Sequence, residues 1–223
     1  MRLRKLNRKP LFALVTIVVE LFAWMIGTNS TIFAQSSNKS IGIFPSKTFS
    51  TPQIKIEEIR VGETVRKIRE VQEGDALRTF EENFKEDFDW LSRASFQIEN
   101  VSGKPIVYLR INVLFPETRA SGNLMVYPVT FGRRPGSKLP TTNSLFLLMP
   151  KEALDISLAS EYAKISNFVG NRHSISSINR IELEISFIVF EDGTAWSVGD
   201  FMRQDPNNPD RYIPVEWPPE SKP

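Results

Sequence analysis

Residues able to do chemistry are few in this chain. It has one histidine, His173, and no cysteine. That excludes thiol nucleophiles, thiolate zinc sites, disulfides and His–His metal pairs. His173 sits in Asn171-Arg172-His173-Ser174, with Asp155 upstream and many serines, so the residue types of a Ser-His-Asp triad are present. No G-x-S-x-G elbow accompanies them, and geometry rather than composition defines a triad. A surface-loop histidine is the simpler account. The neighbouring acids Glu81/Glu82 and Glu86/Asp87 supply the two carboxyls that glycoside hydrolysis uses. A solvated polar face is the simpler account of them, and no catalytic residue is assigned.

Asp205, Asn207 and Asp210 lie in Asp205-Pro206-Asn207-Asn208-Pro209-Asp210. They offer the hard oxygens that calcium takes in sets of about six to eight. The spacing is not that of an EF-hand loop, and Asx turns account for the same residues. The expectation is therefore no cofactor, with calcium as the alternative. Arg133 and Arg134 fall in a polar loop, Gly132–Ser144, that also holds Pro135, Gly136 and Pro140. They are the candidates for contact with an anionic partner, since loops carried by a rigid scaffold host most binding residues.

Those residues need elements to hold them, and length bounds the choice. The chain has 223 residues. Residues 1–34 read as a secretory signal: a basic start (Arg2, Arg4, Lys5, Arg8, Lys9), an apolar run over 11–26, then Ala34 before polar residues. The alternative is an uncleaved anchor over 11–26, although 16 residues containing Glu20 is short against the roughly 20 that span a bilayer. Either reading places the rest outside the cytoplasm. The leader also accounts for the basic balance. Of 28 cations and 26 acids, five cations and one acid lie in it, leaving 23 against 25 in residues 35–223. A near-neutral remainder lacks the clustered basic face that nucleic acid requires. Membrane contact is expected only through an uncleaved N-terminus.

Residues 35–51 read as a flexible linker, 52–212 as one folded domain and 213–223 as a proline-rich tail. Ile54, Ile56, Ile59 and Val61 alternate with one slip, as a strand does. Phe80, Phe84, Phe88 and Leu91 recur at helical spacing among acids, predicting a short acidic helix or an aromatic-anchored loop. From Ala94 the pattern is β. Ala94, Phe96 and Ile98 alternate up to the turn Asn100-Val101-Ser102-Gly103-Lys104-Pro105, where Asn100 and Gly103 suit positive φ. Ile106–Phe115 is the best strand, with Val107, Leu109, Ile111, Val113 and Phe115 expected on one face and Tyr108, Arg110 and Asn112 on the other. Strands are also expected over Leu124–Phe131, Leu154–Leu158 and Ile181–Phe190, and one or two helical turns over Glu161–Val169. Asp192-Gly193 after Phe190 predicts a hairpin returning through Thr194-Ala195-Trp196, with Trp196 over the core. The sum is an all-β, antiparallel immunoglobulin-like sandwich of about 7–9 strands with one or two short helices.

Phe96-Gln97-Ile98-Glu99-Asn100-Val101-Ser102-Gly103-Lys104-Pro105-Ile106 and the strand after it resemble the corner of immunoglobulin- or fibronectin-like domains in exported bacterial proteins. Phe190-Glu191-Asp192-Gly193-Thr194-Ala195-Trp196, with Gly199 and Arg203-Gln204-Asp205-Pro206, looks like the close of a group of uncharacterised bacterial exported proteins. The likeness covers about residues 90–212. It implies a fold and carries no catalytic residues, and the antibody-type cysteine pair is absent. The functional expectation is an exported, non-enzymatic module that binds or scaffolds an unknown macromolecule outside the cytoplasm. The alternatives are an extracytoplasmic hydrolase of glycans or peptides, and an envelope component held by its N-terminus.

Overall fold

The computed structural model describes residues 37–43, 53–68, 80–136, 145–173, 175, 177–198 and 200–215. The leader, the prolines of the tail beyond 215, Ser174, Gly199 and the loop tip 137–144 lie outside the described residues. In chain order the first strands are β1 (Ser37–Ile43), β2 (Ile54–Val61), β3 (Thr64–Lys67), β4 (Phe80–Glu86), β5 (Ala94–Asn100) and β6 (Ile106–Phe115). Then come β7 (Met125–Gly132), β8 (Ala153–Ser157), the helix α1 (Tyr162–His173), β9 (Arg180–Phe190), β10 (Thr194–Ser197), β11 (Asp200–Asp205) and β12 (Asn208–Pro214). The fold is all-β, with more strands than the 7–9 expected.

Four antiparallel strands form the smaller sheet, in the order β3-β2-β5-β8. The slip in the β2 alternation is a β-bulge between Ile56 and Glu58, so Ile54, Ile56, Ile59 and Val61 all reach the core. The larger sheet is built around β9. One flank of β9 pairs antiparallel with β6, which carries β7 beyond it. The other flank is divided. Its first part pairs in parallel with β1, which carries β4. Its second part pairs with β10, which carries β11 and β12. Side chains from both sheets meet in one core that includes Ile59, Phe96, Ile98, Leu109, Ile111, Val113, Leu183, Ile188 and Trp196. The helix α1 adds Ile165 and Val169 to it, and is longer than the one or two turns expected.

Several expectations give way here. Residues 37–43, read as linker, are β1: Ile41 joins the core, and Lys39 on the same face is 1% exposed. Its ammonium donates to Ser177 Oγ (3.0 Å) and Asn179 Oδ1 (2.7 Å). Burial pulls its pKa below the ordinary lysine value, against the opposing pull of Glu117 and Asp87. The acidic helix or loop at Phe80 is instead the strand β4. A spacing of four fits a period of two as well as one of 3.6, and the open edge of β1 decides for the strand. Leu91 is buried with Trp90 in a one-turn 3-10 helix, whereas Phe88 stands exposed. The Trp90 indole N–H donates to the Ile178 carbonyl at 2.7 Å.

Val107 also leaves its expected face. A bulge between Ile106 and Tyr108 turns Ile106 into the core and Val107 outward. A second slip, between Arg110 and Ile111, does the same on β9. Ile185 faces inward before it, and Ile188 and Phe190 after it. Phe187 and Val189 then point to the opposite side of the sheet. That is why the run Phe187–Phe190 is apolar at every position.

Candidate functional site

Two turns predicted from sequence meet at one end of the sheets. Asn100 is fully buried. Its Nδ2 donates to the Lys104 and Leu148 carbonyls, both at 2.9 Å. Its Oδ1 accepts from the Ser102 amide (3.0 Å) and Ser102 Oγ (2.6 Å). Neither Asn100 nor Gly103 has positive φ, which corrects the reason expected for both. Asn100 is a peg inside the corner, and its own buried amide is fully engaged by the backbone and by Ser102.

The second turn closes when the Gly193 amide donates to the Phe190 carbonyl at 3.0 Å. Only Gly193 of the Asp192-Gly193 pair has positive φ, +80°. This is the three-residue type of hairpin loop with glycine in the left-handed region, rather than the two-residue turn in which both residues would be left-handed. Asp192 serves by its side chain. It accepts from the Thr194 amide (2.9 Å) and from Lys104 Nζ (2.6 Å). Burial opposes its charge, but the hydrogen bonds from Lys104 and Thr194 outweigh that and hold its pKa below the usual carboxylate value. The Glu191 amide donates to the Pro105 carbonyl at 3.0 Å, completing the join. Trp196 is buried at 3% exposure in the main core, and Ala195 faces the other way.

On that other face lies a second cluster: Tyr108, Val189, Ala195 and Tyr212, with Val107, Phe187 and Met202 against them. The large sheet curls until its outer parts meet above this cluster. Arg134, just past β7, lays its guanidinium over the rings of Phe187 (4.9 Å) and Tyr212 (5.3 Å). Its Nη2 donates to the Asp210 carbonyl at 3.3 Å. Two residues on, a Cβ on Gly136 would stand 2.3 Å from the Pro209 carbonyl oxygen, so only glycine admits this approach of loop to hairpin. Tyr212 packs edge-on against Phe187 (5.3 Å), and Phe187 against Tyr108 (6.2 Å). Burial raises the pKa of both tyrosines. Arg134 opposes this at Tyr212, and Arg110 and Arg134 together oppose it at Tyr108.

Arg134, a sequence candidate for partner contact, is thus half-buried and stacked on aromatic rings, while Arg133 beside it is exposed. The other chemistry-bearing residues do not converge. His173 closes α1, and its side chain lies outside the described residues. Asp155 on β8 accepts from Gln97 Nε2 at 3.2 Å. Glu81 and Glu82 are successive residues of β4 and point to opposite faces. Glu81 pairs with Arg180 and Glu82 with Arg66, each at 3.6 Å. Glu86, Asp87 and Asp89 gather on Arg93. A shared hydrogen bond between Asp87 and Asp89 lowers the first and raises the second. Asp205 Oδ1 accepts from the Asn207 amide (2.9 Å) and Asn208 Oδ1 from the Asp210 amide (3.3 Å), both Asx turns. Among the described residues no group of three or more acidic or histidine side chains is placed to hold a metal ion.

The chain matches no protein-family model, no curated protein and no solved structure. Tyr108, Arg110, Phe187 and Tyr212 were not singled out as a site by sequence reasoning. The readable signal was the continuous run Phe187–Phe190, which says that β9 is covered on both faces. Tyr108 and Arg110 also fall on the outer side of β6.

Proposed function

We propose that this chain is an exported, non-enzymatic β-sandwich module that binds or scaffolds another macromolecule outside the cytoplasm. The observation that carries this reading is the Arg134 face. A loop and a hairpin brought together by the curl of one sheet display cationic and aromatic groups on a rigid scaffold, which is where binding residues concentrate. The hydrolase alternative draws little from the acids considered for it: one pair points to opposite faces of β4 and the other surrounds Arg93. The finer description as an immunoglobulin-like sandwich, akin to the exported proteins the sequence resembles, belongs to the same proposal. Two antiparallel-rich sheets over one core and the Asn100 corner support it.

Export rests on the basic start, the apolar run and the Ala34-Gln35 junction. Cell fractionation followed by N-terminal sequencing tests it. The reading expects a chain beginning at Gln35 in the extracytoplasmic fraction. A chain beginning at Met1 that only detergent extracts would support the anchor over 11–26 instead. Recovery from the cytoplasmic fraction would overturn export altogether.

A further inference from the structure

We propose that Arg110, Arg134, Tyr108 and Tyr212 form an oxyanion-binding site on the outer face of the large sheet, fitted to a carboxylate or phosphate group of the ligand. This rests on the reading of that face as the contact surface and names the chemistry it selects.

The first argument is charge. Arg60, Arg66, Arg93 and Arg180 each have a carboxylate at 2.7, 3.6, 3.0 and 2.9 Å. Arg134 is half out of water and has none among the described residues. Its partners are two ring faces and one backbone carbonyl, and its Nε is buried with no acceptor. Arg110 is exposed, and its Nε donates to the neutral Asn112 Oδ1 at 3.2 Å. The acid on that row, Glu184, is engaged by Asn112 Nδ2 at 2.8 Å. A partly buried cation without a counter-charge is costly unless an anion completes it.

The second argument is hydrogen bonding. Tyr212 is 8% exposed, and its hydroxyl is buried without a partner. Buried polar atoms left unpaired are uncommon, and each asks for an explanation. Guanidinium groups have only donors, and a phenol can donate as well. Among the described residues these donors have no carboxylate at ion-pair distance; the nearby Asp210 carboxylate lies against Gly136 instead. Arg110 stands opposite Phe187 in the pairing of β6 with β9, and Arg134 lies over the Phe187 ring, so both guanidiniums neighbour one residue. An oxyanion accepts several such bonds at once, and planar guanidinium suits carboxylate and phosphate geometry. Arg110 is the exposed member and makes the first contact.

The test is a titration of the full-length protein with sodium phosphate and, separately, sodium acetate at constant ionic strength. Backbone amide NMR shifts of Arg134–Gly136 and Asp210–Tyr212 are followed. Saturable shifts confined to these segments and to β6 around Arg110 are expected. Arg110→Ala should weaken the binding about tenfold, as loss of one charge-assisted hydrogen bond does, without moving the unfolding midpoint. Tyr212→Phe, which keeps the ring, should weaken it as well. Tighter binding of phosphate would mark a phosphorylated ligand, and tighter binding of acetate a carboxylate. No saturation with either anion, or an Arg110→Ala titration that overlays the wild type, would overturn the site. Export would be unaffected by that failure, because N-terminal sequencing reads it independently.

Discussion

Lys104 Nζ lies 2.6 Å from Asp192 Oδ2, joining two turns that stand 88 residues apart in the chain. The same ammonium reaches Thr194 Oγ1 at 3.1 Å and lies 5.7 Å from the centre of the Phe190 ring. Both charged side chains are nearly half exposed, so the pair is screened by solvent. Lys104→Ala should therefore cost under about 1 kcal/mol in urea unfolding. A larger loss would mean that this pair, and not the Asn100 peg behind it, holds the corner.

Asn100→Ala is expected to be far more damaging. It removes four hydrogen bonds from the buried corner, although the Leu148 carbonyl keeps the Ile106 amide, the Lys104 carbonyl keeps Ser102 Oγ and the Ser102 amide keeps the Gln53 carbonyl. Each such bond contributes about 0.5–1.5 kcal/mol net, so a loss of about 2–4 kcal/mol is predicted from urea midpoints. A change under about 0.5 kcal/mol would show that water reaches the corner.

The hairpin gives a paired comparison. Gly193 has φ +80° and open space beside its α-carbon, so Gly193→Val should destabilise by about 1–3 kcal/mol through backbone strain alone. Gly103 has equally open space without positive φ, and Gly103→Ala should stay within about 0.5 kcal/mol of wild type. Trp196→Ala empties a core position and should cost about 3–5 kcal/mol. Equal midpoints for Gly193→Val and Gly103→Ala would place the turn elsewhere.

At Tyr127, stability becomes dependent on pH. Its hydroxyl donates to Glu161 Oε2 at 2.5 Å, and its ring meets Phe168 at 5.8 Å, tying β7 to α1. Burial, and then the Glu161 carboxylate, push the phenol up to about 12. The folded chain thus holds this proton more tightly than the unfolded one. The resulting stability is complete below about pH 10 and is lost as pH rises through about 12. Urea unfolding across that window should fall more steeply for wild type than for Tyr127→Phe. Parallel curves would contradict the assignment.

Sequence alone made the β character, the Asn100 corner, the Asp192-Gly193 reversal and the burial of Trp196 legible, because each is signalled by neighbouring residues. The misses share a cause. The strand β1 hides in a Ser- and Asn-rich stretch because its only strong apolar positions are Ile41 and Ile43, and its inward Lys39 reads as polar. The strand β4 carries a spacing common to both periods, and its partner lies some forty residues earlier in the chain. The edge strand β12 contains Pro209 and Pro214 and faces water at most positions, and its partner β11 has no fully buried position to mark it. The Arg134 site was half legible. The arginine was visible, but the rings beneath it come from β9 and β12, and only the curl of the sheet brings them to it.

Binding rather than catalysis is the central claim, and a turnover comparison tests it most directly. The purified protein and its His173→Ala variant would be assayed side by side on a broad panel of glycans and peptides. The account predicts the same background rate for both. Turnover that the variant abolishes would contradict it and make the chain a hydrolase built around the one histidine it possesses.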